Sequence, residues 1–161
     1  MIELLPLANQ IAAQLKQRQQ TVVIAESSTG GLISAALLSV AGASSYFLGG
    51  AVVYTVEARR ALLDITDDKM AGMRASTEPY ALLMARTARQ RFNASWAVAE
   101  TGATGPTGNR YGDAAGHTCI AICGPLERAI TLETGSHDRI GNMRTFSAAA
   151  LDLLAQSLAA A

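Results

Sequence analysis

The stretch Thr21-Val22-Val23-Ile24-Ala25 runs straight into Glu26-Ser27-Ser28-Thr29-Gly30-Gly31 and then into Leu32-Ile33-Ser34-Ala35-Ala36-Leu37-Leu38. A short β-branched run followed by hydroxyl and glycine residues, then by an apolar run stopped near Gly42, reads as buried strand, tight turn and helix. A chain that passes directly from strand to helix is committed to layered α/β packing, because the strand must be covered by the helix it feeds. The rest of the chain repeats this alternation. Apolar residues at helical spacing over 3–18 (Leu4, Leu7, Ala8, Ile11, Leu15) predict a first amphipathic helix. Residues 46–54 predict a second strand, Glu57 to Leu63 a short helix, and Thr77-Glu78-Pro79 the start of a helix reaching about Phe92, with Thr77 as its N-cap and Pro79 in its first turn. Strands are expected over 96–100, 116–123 and 129–133, and a last helix over about 142–158. The expected architecture is a three-layer α/β/α sandwich, one domain spanning residues 1–161, around a central sheet of about five strands.

Composition narrows what such a domain can do. Half of the residues are hydrophobic and only 5% are aromatic, so Ala, Leu, Val and Ile must fill the core. Thirteen basic residues balance thirteen acidic ones. That balance argues against a nucleic-acid-binding surface and leaves room for a local cationic pocket that takes a small anion. The start Met1-Ile2-Glu3-Leu4-Leu5-Pro6 lacks a signal-peptide pattern, and no apolar stretch reaches membrane-spanning length, so no membrane partner and a cytoplasmic location are expected. Cys119 and Cys123 lie four apart in an expected strand, on one face and too distant for a disulfide. With His117 alone beside them, they read as buried thiols rather than metal ligands.

Two loops are shaped for chemistry. The turn Glu26 to Gly31 presents the free N–H groups and positive dipole end of a helix, which suit an oxyanion or a phosphate. Taken alone, Ser27, Ser28 and Thr29 read first as a helix cap and second as a site with a serine nucleophile. The second loop, Thr101-Gly102-Ala103-Thr104-Gly105-Pro106-Thr107-Gly108-Asn109-Arg110-Tyr111-Gly112-Asp113, matches neither the dinucleotide fingerprint nor a P-loop, but lets backbone amides approach an anion closely. If the strands preceding the two loops are neighbours, both loops meet at the carboxyl edge of the sheet, where open α/β folds bind ligands.

Three blocks then carry a resemblance: AESSTGG (25–31), GASSYFLGGAVVYTVEARRALLDI (42–65) and TGATGPTG (101–108). In this order they resemble AESCTGG, GSS-x-x-F-x-x-G-x-x-x-YSNEAK-x-x-x-LGV and TGIAGP of the carboxy-terminal domain of the competence/damage-inducible CinA proteins. That family includes amidases that convert nicotinamide mononucleotide to nicotinate mononucleotide. The resemblance implies Ser27 as nucleophile, with Tyr54, Arg59 and Thr101 at the other catalytic positions. It implies a substrate-binding set of Ser28, Thr29, Gly30, Gly31, Gly102, Gly105, Arg139 and Arg144, the two arginines by a looser match. The turn amides near Thr29 to Gly31 would hold the oxyanion, and the 101–108 loop with Arg139 or Arg144 would hold the nucleotide phosphate. It implies a small-molecule nucleotide as partner, self-association into a homo-oligomer, and no metal or organic cofactor.

The chain departs from the family pattern where it matters for the reaction. Ser28 stands for the family's cysteine, Val56 for an asparagine, and Arg59 for the lysine paired with the serine. A desolvated lysine can act as a base near neutral pH and a guanidinium effectively cannot. The proton of Ser27 would then go to Tyr54 or a water, with Arg59 positioning or stabilising charge. His117 has a suitable ordinary pKa but no counterpart in the family pattern, so a structural or surface role is expected rather than a catalytic one. Three readings follow: an amidase acting on nicotinamide mononucleotide, a catalytically silent relative that binds a nucleotide, and an amidase of altered substrate.

Overall fold

A computed structural model describes residues Met1–Ala161. The elements run α1 (Leu5–Arg18), β1 (Val22–Glu26), α2 (Leu32–Leu38), β2 (Phe47–Val52), α3 (Val56–Leu63), α4 (Glu78–Phe92), β3 (Trp96–Ala103), β4 (His117–Cys123), β5 (Glu127–Glu133) and α5 (Arg139–Ala160). The five strands form one mixed sheet in the order β2-β1-β3-β4-β5. β1 pairs parallel with β2 and with β3, while β3, β4 and β5 form an antiparallel meander.

The sheet sorts its side chains by size. Val22 and Ile24 of β1, Trp96 and Val98 of β3 and Ile120 and Ile122 of β4 face a core that also holds Ile11 and Leu15 of α1, Ile33 and Leu37 of α2, and Leu151 and Leu154 of α5. The alternate residues Val23, Ala25, Ala97, Ala99, Cys119, Ala121 and Cys123 face the other core, with Leu63 of α3 and Tyr80, Ala81, Met84, Ala85 and Ala88 of α4. Period-2 alternation thus assigns bulky residues to the three-helix face and small ones to the α4 face. Small residues on both surfaces let α4 lie close to the sheet. Cys119 and Cys123 are both buried on that face as free thiols.

Sequence and structure differ at several boundaries: β2 stops at Val52 rather than at Tyr54, α1 starts at Leu5, and three others bear on the site or the sheet. β3 continues past Glu100 to Ala103, because Thr101, Gly102 and Ala103 still pair with Cys119, Thr118 and His117. β5 starts at Glu127, opposite Cys123, rather than at Ala129. α5 starts at Arg139 behind Asp138, with the Asn142 amide closing the first turn onto the Asp138 carbonyl at 2.8 Å. As expected, the Thr77 hydroxyl caps α4 by accepting from the Tyr80 amide at 3.3 Å, with Pro79 in the first turn.

β1 and β3 are neighbours, with Ala25 opposite Ala99. The segments after β1, β2 and β3 therefore emerge at one edge of the sheet, beside the start of β4 and the end of β5. Because α4 meets an alanine face, Ala85→Leu is expected to destabilise the fold by about 1–3 kcal/mol, and Leu48→Ser on the exposed edge strand by under about 0.5 kcal/mol. Urea midpoints of the two variants check the contrast.

Candidate functional site

The turn after β1 is organised by a carboxylate from the neighbouring strand. Glu100 is wholly buried, and its Oε2 accepts from the Ser27 amide at 3.1 Å, the Thr29 amide at 3.0 Å and the Thr29 hydroxyl at 3.0 Å. Its Oε1 accepts from the hydroxyls of Ser28 and, at 3.0 Å, Thr118. Glu26, also wholly buried, accepts from the Thr29 hydroxyl at 2.8 Å, the Ile33 and Ser34 amides at 3.1 and 3.0 Å, and the Ser34 hydroxyl at 2.6 Å. Glu26 thereby takes up amide donors at the start of α2, where a negative charge also meets the positive end of the helix dipole. The Thr29 hydroxyl has one proton and lies between the two carboxylates, so it serves one of them at a time. Burial pushes the Glu100 carboxyl above the ordinary range, against the pull of its donors from Ser28, Thr29 and Ser27.

This clasp divides the turn into parts used by the fold and a part left over. The hydroxyls of Ser28 and Thr29 and the amides of Ser27 and Thr29 are all bound to carboxylates, and the Gly30 amide donates to the Ser27 carbonyl at 3.1 Å. The Ser27 hydroxyl takes part in none of these bonds, and Ser27 lines a cavity of about 500 Å³. The cavity is also bounded by Tyr54, Arg59, Tyr80, Thr101 and Tyr111. A smaller hollow of about 210 Å³ adjoins it, lined by Ser28, Thr104, Gly105, Thr107 and Arg139 among others. Tyr54, Gly102 and Asn109 belong to both.

Most of the residues singled out from the sequence meet here. Thr101 is buried in the larger cavity's wall, its hydroxyl accepting from the Ser76 amide at 3.2 Å. Gly102 lies so close to β4 that a Cβ would stand 2.4 Å from the His117 carbonyl oxygen. Gly105 has φ +109, a conformation that favours glycine. Arg139 donates to the Gly105 carbonyl at 2.6 Å and to the Tyr54 hydroxyl at 3.3 Å, bridging the second loop to the end of β2. Arg59 is buried; its Nε donates to the Ile65 carbonyl at 3.1 Å and its Nη2 to Asp67 at 2.6 Å. Thr29, Gly30 and Gly31 do not line either cavity, and Arg144 is an exposed residue on α5 away from both. The Thr29 and Gly30 amides, expected to face an oxyanion, are already bound within the chain.

Sequence reasoning missed Glu26, Glu100 and Tyr80. A signal for the two acids was present: Ile24-Ala25-Glu26 and Val98-Ala99-Glu100 are the same apolar-Ala-Glu run on two strands. Once the strands pair with Ala25 opposite Ala99, the carboxylates stand side by side. Tyr80 reads as a core residue of α4; burial pushes its phenol up to about 12, so it is a donor rather than a base near neutral pH.

The loop over the cavity mouth is strapped down by charge. Arg74 makes a two-pronged pair with Asp113 at 2.7 and 3.0 Å, and the Arg74 and Arg110 guanidinium groups lie 5.3 and 5.1 Å from the Tyr111 ring centre. His117 is buried with acceptors on both ring nitrogens: Glu133 at Nδ1 and the Ser76 carbonyl at Nε2, 2.9 Å away. Asp113 lies 3.8 Å from Nε2, and Cys119 Sγ 3.7 Å. Burial disfavours the imidazolium, but Glu133, the Ser76 carbonyl and Asp113 outweigh it and raise the histidine above its ordinary value. Two acceptors on one ring fit the doubly protonated form. His117 thus ties β4 to Glu133 of β5 and to the Ser76 carbonyl; of the structural and surface roles expected from the sequence, its burial excludes the surface one.

Comparison with known proteins places this arrangement. The family model of the CinA C-terminal domain matches residues 4–158. The chain belongs to the CinA C-terminal domain family. A CinA-like protein of Prochlorococcus marinus (strain MIT 9313) is 42% identical over 119 residues, 74% of this chain and 28% of the relative. A CinA-like protein of Gloeobacter violaceus is 36% identical over 154 residues, 94% of this chain and 36% of the relative. The chain therefore spans about a third of the length of these CinA relatives. Among solved structures, a competence/damage-inducible protein of Agrobacterium tumefaciens superposes with a TM-score of 0.89 at 30% identity, over 97% of this chain and 95% of that one. A CinA superfamily protein of Klebsiella pneumoniae superposes with a TM-score of 0.91 at 25% identity, over 98% and 99%. The three-layer CinA fold is thus shared along the chain. No helix is long and apolar enough to cross a membrane.

Two outcomes are expected from the site's geometry. Glu100→Gln keeps the shape but turns acceptor into donor at half of the clasp, and should cost about 1–3 kcal/mol; Glu100→Ala strands several buried donors and should cost about 3 kcal/mol or more. Chemical denaturation measures both. His117 has a raised folded-state pKa, so its contribution is full below the ordinary value of 6.5 and is lost as pH rises through the folded value. The stability gap between the wild-type chain and His117→Phe should therefore narrow as pH rises above the ordinary histidine value of 6.5. A gap that widens with pH would contradict the strap.

Proposed function

We propose that the chain hydrolyses the carboxamide of nicotinamide mononucleotide to nicotinate mononucleotide and ammonia, with Ser27 as nucleophile. The observation that carries this reading is the isolation of the Ser27 hydroxyl: its own amide and its neighbours are held by Glu100, and it alone is left facing the larger cavity. A nucleophile needs that combination of a fixed backbone and an unengaged oxygen. Membership of the CinA C-terminal family and the matching AESSTGG, TGATGPTG and 42–65 blocks support the same assignment.

In this reading the pyridine ring occupies the larger cavity and the phosphate the smaller one, near Arg139 and the backbone of Thr104 to Gly108. The Ser27 oxygen bonds to the carboxamide carbon as its proton passes to Tyr54 or a water. The C–N bond breaks, the nitrogen leaves as ammonia after gaining a proton, and water then opens the acyl-enzyme. The chemistry calls for no metal or organic cofactor. Cytoplasmic location accords with a soluble nucleotide substrate. Self-association, expected from the family, has support in the uncharged edge strand β2, which exposes Leu48 and Val52.

A second reading, a silent relative that retains nucleotide binding, draws on Arg59. Its guanidinium is tied to Asp67 and the Ile65 carbonyl, and it cannot take up a proton as a lysine could. One assay separates the two: purified chain with nicotinamide mononucleotide, followed for ammonia and for the acid product. The amidase reading expects turnover that falls by at least about 10³-fold in Ser27→Ala with an unchanged urea midpoint. Binding without turnover supports the silent relative and sinks the amidase.

A further inference from the structure

Two buried side chains keep a free donor on the larger cavity. Arg59 is 8% exposed and Tyr80 4% exposed, and both line that cavity. The Nε and Nη2 of Arg59 are bound to the Ile65 carbonyl and Asp67, which leaves Nη1 without a partner in the chain. The Tyr80 hydroxyl likewise has none. Neither atom is among the chain's sealed, unpartnered polar atoms, a condition met only by Gln14 Oε1. Both therefore retain access to the space the two residues line. The free Nη1 N–H group of a guanidinium and a phenol that stays protonated form a donor set that fits a carboxylate, whose oxygens accept from both a charged N–H and a hydroxyl. Glu57 and Thr55 also line the cavity, and Glu57 is exposed on α3, so its charge is screened by solvent while the Arg59 guanidinium is buried.

We propose that Arg59 Nη1 and the Tyr80 hydroxyl form a carboxylate-binding subsite, so that this cavity takes a nucleotide bearing a ring carboxylate in preference to the corresponding carboxamide. The inference rests on the nucleotide reading of the site above. It gives the arginine at the family's lysine position a task that a guanidinium performs well, in place of one it cannot perform. It also implies that an amidase built on this cavity holds on to its acid product.

Nicotinate mononucleotide and nicotinamide mononucleotide differ only at that group, and titration calorimetry of both against the full chain tests the subsite. The acid is expected to bind about tenfold or more tightly than the amide. Arg59→Gln is expected to abolish the preference and Tyr80→Phe to reduce it about threefold or more. Tyr80→Phe removes one oxygen without altering shape, so it decides the matter if Arg59→Gln fails to fold. Equal binding of acid and amide, or a preference that survives both substitutions, overturns the subsite while leaving the nucleotide reading in place. Binding of neither overturns both.

Discussion

A carboxylate buried without a cation is costly, and this fold accepts the cost at the point on which its site depends. Glu100 replaces water with backbone and hydroxyl donors from Ser27, Ser28, Thr29 and Thr118. The bonds join β1, β3 and β4 at their shared edge and fix the backbone of the turn between β1 and α2. Remove the carboxylate, and the amides that define where Ser27 sits lose their partner.

The same clasp reassigns roles within the turn. Helix N-termini are ready sites for anions, and the turn after β1 has the composition of one. Here the anions are supplied from within, by Glu26 at the first turn of α2 and by Glu100 across the sheet. Unengaged donors lie elsewhere: Arg59 of α3 and Tyr80 of α4 border the larger cavity, and each keeps a donor atom without a partner in the chain. Tyr54 and Arg139 sit between the two hollows, tied to each other and to the Gly105 carbonyl.

Much of this was legible because local patterns and tertiary packing agree. The run from Val22 to Leu38 could be little else than strand, turn and helix, and the even spacing of Cys119 and Cys123 put both on one face. Boundaries moved where pairing extended an element beyond its own propensity, as when His117 to Cys119 drew Thr101 to Ala103 into β3. The resemblance put Arg59 in the site, but its partners were not legible, because Ile65 and Asp67 lie in the loop beyond α3. Glu100 was hidden for a different reason. Its partners at Ser27 to Thr29 are more than seventy residues away, and only the strand register brings them together.

In the proposed reaction Ser27 faces the reacting carbon of a nucleotide amide seated in the larger cavity. A crystal structure of Ser27→Ala soaked with nicotinamide mononucleotide tests it most directly. The carboxamide carbon is expected within about 3.5 Å of where the Ser27 oxygen would stand, with the phosphate beside Arg139. A carboxamide directed away from residue 27, or a ligand seated outside the two adjoining hollows, would contradict it.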